Sequence, residues 1–197
     1  MLSGGTLNIA AASDVTTTVA HSGGTLGGTG TLTVDGLYTW TDGGMVGTGV
    51  TTLNGGMALS GSSTKILSTR TLNNANSGTI TWTGTGNLNF AGSAQLNNQS
   101  GSTFDAQNNQ NFENAGLGTF NNAGTFRKSV GSGTTTSNGA IFNNSGSVEI
   151  LAGTFAVNTN YTQTAGYTLL NGGSFTKTGS AFALQGGELR GAGTITG

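Results

Sequence analysis

Hydrophobic and polar residues alternate along much of this chain. Leu32 and Val34 are separated by threonine, as are Ile80 and Trp82, and residues 154–157 continue the pattern. Because successive side chains of a strand point to opposite faces, a period of two predicts short strands with one buried face each. Threonine and valine also favour the extended backbone. A disordered polar tract, the other interpretation, does not account for this regular alternation.

A second regularity is a motif in which a large apolar residue precedes an Asn-rich turn. Successive copies begin 19, 24, 24, 22 and 28 residues apart. A drifting period of this length is typical of stacked structural repeats and not of a heptad or a propeller blade. The copies occupy residues 53–56, 72–75, 96–99, 120–123, 142–145 and 170–173.

Together these patterns predict an all-β fold. The predicted architecture is a single right-handed parallel β-helix (a β-solenoid) of about nine coils of roughly 19–25 residues. One domain is expected to cover residues 1–197, and coils about 4.8 Å apart would form a rod about 40 Å long. An antiparallel barrel or meander is the alternative, because Asn54-Gly55 and Asn138-Gly139 are dipeptides of tight hairpins. Strands of that fold are usually longer than the runs found here.

The repeated asparagines are the candidate structural site. An Asn that points inward in every coil has an identical amide above and below it, and the first Asn of each motif is favoured for such a ladder. An inward Asn without partners would cost about 1–3 kcal/mol. The other interpretation places the same residues in exposed turns, where Asn tolerates a left-handed backbone. The candidate ladder or turn residues are Asn54, Asn73, Asn97, Asn121, Asn143 and Asn171.

Composition removes several function classes. Only 7 % of the 197 residues are charged and the formal net charge is −1, so a nucleic-acid partner, which needs clustered Lys and Arg, is not expected. A disulfide scaffold or a thiolate metal site is excluded because the chain has no Cys. No apolar run approaches the ~18 residues of a membrane-spanning helix, and residues 1–12 lack the basic start and apolar block of a signal peptide.

No catalytic, cofactor-binding or metal-binding residues are predicted, and the chain is expected not to be an enzyme. The nearest carboxylates in sequence, Asp35 and Asp42, lie beside glycine at predicted corners, whereas glycoside hydrolysis needs two carboxylates a few ångströms apart. Coil spacing places only Asp105 or Glu149 beside Arg127, too few groups for the calcium and base site of a β-helical polysaccharide lyase. Asp35 and Asp42 are therefore predicted to be turn residues.

The single histidine and the two tryptophans are the remaining candidates for chemistry. His21 has no second histidine to act with, and it is predicted to be exposed or to lie at a corner. Trp40 and Trp82 alternate with threonine. They either fill the core or, pointing outward, form a stacking platform for sugars; the apolar volume that a narrow core requires favours the first.

Four segments contain short motifs rich in Gly, Thr and Asn. Residues 23–34 are GGTLGGTGTLTV, and residues 142–148 are FNNSGSV, followed by NYTQTAG at 160–166 and GGELRGAGTITG at 186–197. They resemble the β-helical repeat regions of bacterial autotransporter adhesins and filamentous-haemagglutinin-like surface proteins. The resemblance implies a secreted, rod-like shaft for adhesion or assembly, outside the cell or at the bacterial cell surface. Because the pattern starts and stops within a repeat, the chain is expected to be a segment of a larger surface protein.

The expected function is a non-catalytic structural or adhesive shaft, or a fibre-forming module that self-associates end to end. A host or cell-surface glycan or protein is the expected further partner. The alternative is an ice-binding face of Thr-x-Thr pairs, which requires pairs on one side of successive coils; none lies between Leu96 and Phe120. A second alternative is a carbohydrate-binding or polysaccharide-lyase-like β-helix.

Overall fold

A computed structural model describes residues 1–116, 118–179 and 182–197. These residues form strands and turns and include no helix, hence none that could cross a bilayer. The first eight strands are β1 Leu2–Asn8, β2 Ser13–Val15, β3 Val19–Gly27, β4 Thr31–Val34, β5 Tyr38–Val46, β6 Val50–Leu53, β7 Met57–Leu59 and β8 Lys65–Ser68. The next nine are β9 Thr71–Asn74, β10 Thr79–Trp82, β11 Leu88–Gly92, β12 Gln95–Asn98, β13 Thr103–Ala106, β14 Asn111–Gly116, β15 Thr119–Asn122, β16 Thr125–Lys128 and β17 Thr134–Asn138. The last nine are β18 Ile141–Asn144, β19 Ser147–Ile150, β20 Thr154–Val157, β21 Tyr161–Gln163, β22 Tyr167–Leu170, β23 Ser174–Lys177, β24 Phe182–Leu184, β25 Glu188–Gly191 and β26 Ile195–Thr196.

The strands wind into about nine coils with three sides. Side I is a nine-stranded sheet of β2, β4, β6, β9, β12, β15, β18, β21 and β24. The other strands form sides II and III: β7, β10, β13, β16, β19, β22 and β25 on side II, and β8, β11, β14, β17, β20, β23 and β26 on side III. The long strands β1, β3 and β5 follow both of these sides; residues 38–40 of β5 pair with β7 and residues 44–46 with β8.

Every pairing between these strands is parallel, so the predicted parallel β-solenoid is confirmed and the antiparallel alternative is wrong. On side I, Leu72, Leu96, Phe120 and Phe142 pair in successive coils, at steps of 24, 24 and 22 residues. Side I strands from β4 to β18 all have four residues. The variation in coil length therefore comes from turns and from the other two sides.

The core is a narrow column of apolar side chains with aromatic rings along its C-terminal half. On side I, the rings of Phe120, Phe142, Tyr161 and Phe182 follow one another, with centroids 4.9, 5.7 and 4.9 Å apart and planes within 16° of parallel. Phe126, from side II, contacts Phe120 and Phe142 edge-on. The register between strands of successive coils produces this packing, because it places each inward ring over the ring of the previous coil.

Both tryptophans lie in this core. Trp40 and Trp82 are fully buried, and their indole N–H groups donate to the carbonyls of Asp42 and Gly86. The expectation that they fill the core is confirmed. The outward platform for sugars is excluded, because neither ring reaches the surface.

Side II carries a column of alternating charge. Asp105, Arg127 and Glu149 are paired in three successive coils, as coil spacing predicted. Arg127 Nε lies 3.0 Å from Glu149 Oε2, and the Tyr167 hydroxyl donates to Glu149 Oε1 at 2.9 Å. A slip of one residue would point this column into the core, so the charges help to fix the register of side II.

The corners require glycine where the backbone of one coil passes close to the next. Gly47 has φ +82°, and a Cβ on it would lie 2.7 Å from the carbonyl oxygen of Gly28. We expect Gly47→Ala to lower the free energy of unfolding by about 1–3 kcal/mol, because it adds left-handed strain and a backbone clash. Urea unfolding measures the loss. Gly4→Ala is the control, since a Cβ there meets nothing within 4 Å; equal losses in the two variants would contradict the explanation.

Candidate functional site

The most regular polar feature is a ladder of side-chain amides inside the solenoid, here called the inner ladder. Each amide Nδ2 donates to the side-chain oxygen of the next coil, over 2.8, 2.8, 2.8 and 3.2 Å. All of its members are essentially inaccessible to solvent. The inner ladder consists of Asn74, Asn98, Asn122, Asn144 and Gln163.

The inner ladder also ties side I to side II. Asn98 Nδ2 donates to the Thr125 carbonyl at 2.9 Å, and Asn122 Nδ2 to the Ser147 carbonyl at 2.8 Å. Gln163 ends the ladder by donating to two backbone carbonyls of the last coil. At the other end, Asn74 Oδ1 is buried without a partner, because Leu53 occupies the corresponding position one coil earlier.

A second amide ladder, the outer ladder, lies on the outward face of side I. Asn73, Asn97, Asn121 and Asn143 are joined by three Nδ2–Oδ1 hydrogen bonds of 2.9 Å, and Asn73 Nδ2 lies 3.4 Å from Thr52 Oγ1. These amides donate towards the N-terminal coils, whereas those of the inner ladder donate towards the C-terminal coils. The opposed amide dipoles partly cancel along the rod.

Sequence reasoning placed the first Asn of each motif inward, and the structure corrects this. Leu72 and Asn74 point inward while Asn73 points outward, because alternate side chains of a strand share a face. The second Asn therefore forms the inner ladder, and the first Asn forms the outer one. The signal was present in the sequence: the second Asn has the parity of the large apolar residue before it.

Two of the six candidate residues belong to neither ladder. Leu53 pairs with Asn74 and not with Leu72, so Asn54 falls in the turn, where its amide donates to Asp35 Oδ1 at 2.7 Å. Asn171 follows β22 on side II and is exposed. The motif copies at 53–56 and 170–173 have a similar sequence to the other four, but the first is shifted in strand register and the second lies on side II.

An arginine is fully buried at the corner between sides III and I. Arg70 Nε donates to Thr51 Oγ1 at 2.8 Å, and its two terminal nitrogens lie 3.2–3.5 Å from the carbonyls of Gly28, Gly30, Val46 and Val50. Within the described part of the chain no carboxylate forms an ion pair with it, and burial lowers the pKa of the guanidinium below its ordinary value. Arg70 thus joins two preceding coils to its own through oxygen acceptors.

Two lysines are fully buried at other corners, and Lys177 is nearly so. Lys128 Nζ donates to the carbonyls of Asn108 and Val130 at 2.8 and 3.0 Å, and Lys65 Nζ to the carbonyl of Ser63 at 2.8 Å. Both are inaccessible to solvent, and burial lowers the pKa of each ammonium. Sequence reasoning missed them, although each begins or ends a strand with inward parity.

We expect the buried lysines and tyrosines to place the stability maximum of the protein at alkaline pH. Since the folded state lowers the pKa of Lys65 and Lys128, the unfolded chain binds more protons, and raising the pH towards about 10.5 stabilises the fold. Burial raises the pKa of Tyr38 and Tyr161, so above about pH 10 the unfolded chain loses phenol protons first and stability falls. Urea midpoints should peak near about pH 10; a steady fall from about pH 8 would contradict this assignment.

The prediction for His21 is wrong. His21 pairs with Trp40 on the inward side of β3, is 1 % exposed, and stacks on the Trp40 indole at 5.7 Å. The Tyr38 hydroxyl lies 2.9 Å from Nδ1, and the Gly24 carbonyl lies 3.4 Å from Nε2. Burial lowers the pKa of this imidazole. The parity of His21 with Val19 was the signal for its inward position.

The acids of the described segments are dispersed. Within residues 1–116, 118–179 and 182–197, no three His, Asp or Glu side chains are grouped so that they could hold a metal ion. Asp35 is an exposed turn residue, while Asp105 accepts hydrogen bonds from Ser129 and Gln107. Glu113 accepts from two asparagine amides. Each of these three carboxylates therefore has a structural partner.

In the two end coils, side chains at inward positions of the strands are exposed to solvent. Leu7 pairs with the buried Leu26 and is 48 % exposed, and Leu189 pairs with the buried Thr168 and is also 48 % exposed. Among the described strands, β1 and β2 at one end and β24, β25 and β26 at the other pair along one edge only. Each end therefore combines apolar surface with unpaired backbone groups.

Outside the core, a groove crosses the corner between sides I and II, here called the corner groove. It has a cavity volume of about 260 Å³ and is half open to solvent. Its position follows from turn length: the turns after β15 and β18 have two residues, at 123–124 and 145–146, whereas the turn after β12 has four, at 99–102. The lining side chains include Asn121, Ala123, Asn143, Ser145, Thr162 and Thr164.

Comparison with known proteins adds no assignment. No protein-family model, curated protein or solved structure matches this chain. The ladders, the exposed ends and the corner groove are therefore the features from which a function is inferred.

Proposed function

We propose that this chain is a structural and adhesive shaft of an extracellular bacterial surface protein and that copies of it associate end to end. The observation that carries the proposal is the pair of end coils, where core-facing leucines are exposed beside unpaired strand edges. Solenoid coils that expose apolar side chains beside unpaired strand edges tend to associate along the solenoid axis. The repeat resemblance at residues 23–34 and 186–197 supports the cellular location.

The internal structure suits a shaft. Both amide ladders run along the rod axis, and each rung joins one coil to the next. From β4 to β24, side I has no charged residue in its strands, so closely spaced coils do not repel one another there. A rod built in this way resists separation of its coils without a disulfide or a metal ion.

Electron microscopy and light scattering over a range of concentrations test the end-to-end association. We expect filaments whose length grows with concentration, because a head-to-tail contact between different ends does not close. Leu189→Lys places a charge on the end coil and should leave short separate rods. Ile66→Lys is the matched control, since Ile66 is 41 % exposed on the lateral surface of side III. Short rods for the wild type at every concentration would refute the proposal.

One observation favours ice binding as a second candidate. Thr136, Ala156, Thr176 and Thr196 pair in four successive coils of side III, and the hydroxyls of Thr176 and Thr196 are 3.1 Å apart. This gives part of side III an aligned, uncharged face, whereas the aligned Thr79, Thr103 and Thr125 of side II lie beside the column of alternating charge.

A thermal-hysteresis assay decides this second candidate. If side III binds ice, the wild type lowers the freezing point and shapes ice crystals, and Thr176→Tyr removes the effect. Thr81→Tyr, on the outward face of side II, should keep it. No hysteresis at high protein concentration would dismiss the candidate.

A further inference from the structure

The corner groove is a recess in the middle of the lateral surface, and its lining offers unused polar atoms. Asn143 Nδ2 donates to Asn121 Oδ1, but Asn143 Oδ1 receives no hydrogen bond from the described residues. Thr162 Oγ1, one coil further, makes no hydrogen bond within that part of the chain either. An amide acceptor and a hydroxyl that both donates and accepts therefore face the same recess.

The groove has no ionic side chain. Amides, hydroxyls and the Ala123 methyl form its lining, and no Lys, Arg, Asp or Glu is among the lining residues. An anionic ligand would lose hydration there without meeting a cation. A neutral ligand with several hydroxyl groups would both donate to Asn143 Oδ1 and exchange hydrogen bonds with Thr162 and Thr164.

We propose that the corner groove binds a single neutral pyranose residue of a surface glycan. Its cavity volume of about 260 Å³ is below the range of about 300–1,000 Å³ for drug-sized ligands, which suits one sugar ring. No aromatic ring lines the groove for stacking, so the dissociation constant is expected to be about 1 mM or weaker. The inference rests on the proposed adhesive function, because many copies along a fibre would raise the avidity of a weak site.

Saturation-transfer NMR on the full chain tests the site. The probes are methyl β-glucopyranoside, methyl β-galactopyranoside, methyl α-mannopyranoside and sodium glucuronate, each titrated to about 20 mM. We expect saturation transfer and millimolar binding for at least one neutral glycoside, and at least about tenfold weaker binding for glucuronate.

Two matched variants locate the binding. Thr162→Val removes one hydroxyl without changing side-chain shape and should weaken binding about fivefold. Thr33→Val makes the same change in the same outward column, outside the groove, and should bind as the wild type does. No transfer from any neutral glycoside, equal binding of glucuronate, or equal affinity of Thr162→Val and the wild type would each overturn the site. Electron micrographs of the same samples report end-to-end association independently of sugar binding, because that association does not involve the groove.

Discussion

Asn122→Leu is expected to lower the free energy of unfolding by about 3–5 kcal/mol. The substitution keeps the side-chain size but leaves Asn144 Oδ1 without its donor and removes the hydrogen bonds to Asn98 and the Ser147 carbonyl. A buried polar group without a partner costs about 1–3 kcal/mol, and Asn122 and Asn144 are each only 1 % exposed although both lie beside the corner groove. Urea unfolding followed by circular dichroism measures the change.

The adjacent residue supplies the control for this experiment. Asn121→Leu removes a rung of the outer ladder, where solvent can hydrogen-bond to the neighbouring amides of Asn97 and Asn143. A loss of about 1 kcal/mol or less is expected. Equal losses for Asn121→Leu and Asn122→Leu would show that burial does not determine the strength of the ladders.

Arg70→Met is expected to cost about 3 kcal/mol. Methionine retains much of the aliphatic stem but removes the charged hydrogen bonds to Thr51 Oγ1 and to the carbonyls of Val46 and Val50. The carbonyls of Gly28 and Gly30 keep their backbone donors, so they add little to the loss. Burial of the guanidinium opposes the effect, but the loss of its hydrogen bonds outweighs it, because in the native corner every nitrogen of the charged group is hydrogen-bonded.

The same substitution at the surface provides the comparison. Arg127 is about one-third exposed and forms an ion pair with Glu149, so Arg127→Met should cost no more than about 1 kcal/mol. Thermal or urea unfolding of both variants measures the difference. If Arg70→Met were as stable as the wild type or more so, desolvation of the cation would dominate and the role of Arg70 in joining coils would be wrong.

The alternation of apolar and polar residues along the strands predicted the solenoid correctly. The same alternation was not used to decide which Asn of each motif faces the core. The parity that places Leu72 and Leu96 in the core also places Asn74 and Asn98 there, two residues later. His21 follows the same rule through its parity with Val19. These inward positions were available from the sequence, but the first Asn of each motif was favoured for the inward position, and His21 was expected to be exposed or to lie at a corner.

Other contacts have no local signal. The acceptors of Arg70 precede it by 19 to 42 residues, and the glycine at position 49 that leaves space for its guanidinium is separated from it by a whole coil. The corner groove likewise depends on differences in turn length among four coils. Neither feature could be found without the stacking of one coil on another.

The sequence by itself determined the strands, their buried faces and the stacked repeat, because side-chain parity and turn residues act over a few positions. Only the tertiary structure decided which coils share a register, that side-chain hydrogen bonds join the asparagines of successive coils, and why Asn54 and Asn171 belong to neither ladder. The physical reason is that these outcomes depend on hydrogen bonds between residues about 20 positions apart. Their geometry is fixed by the lengths of all the intervening turns, which no local pattern specifies.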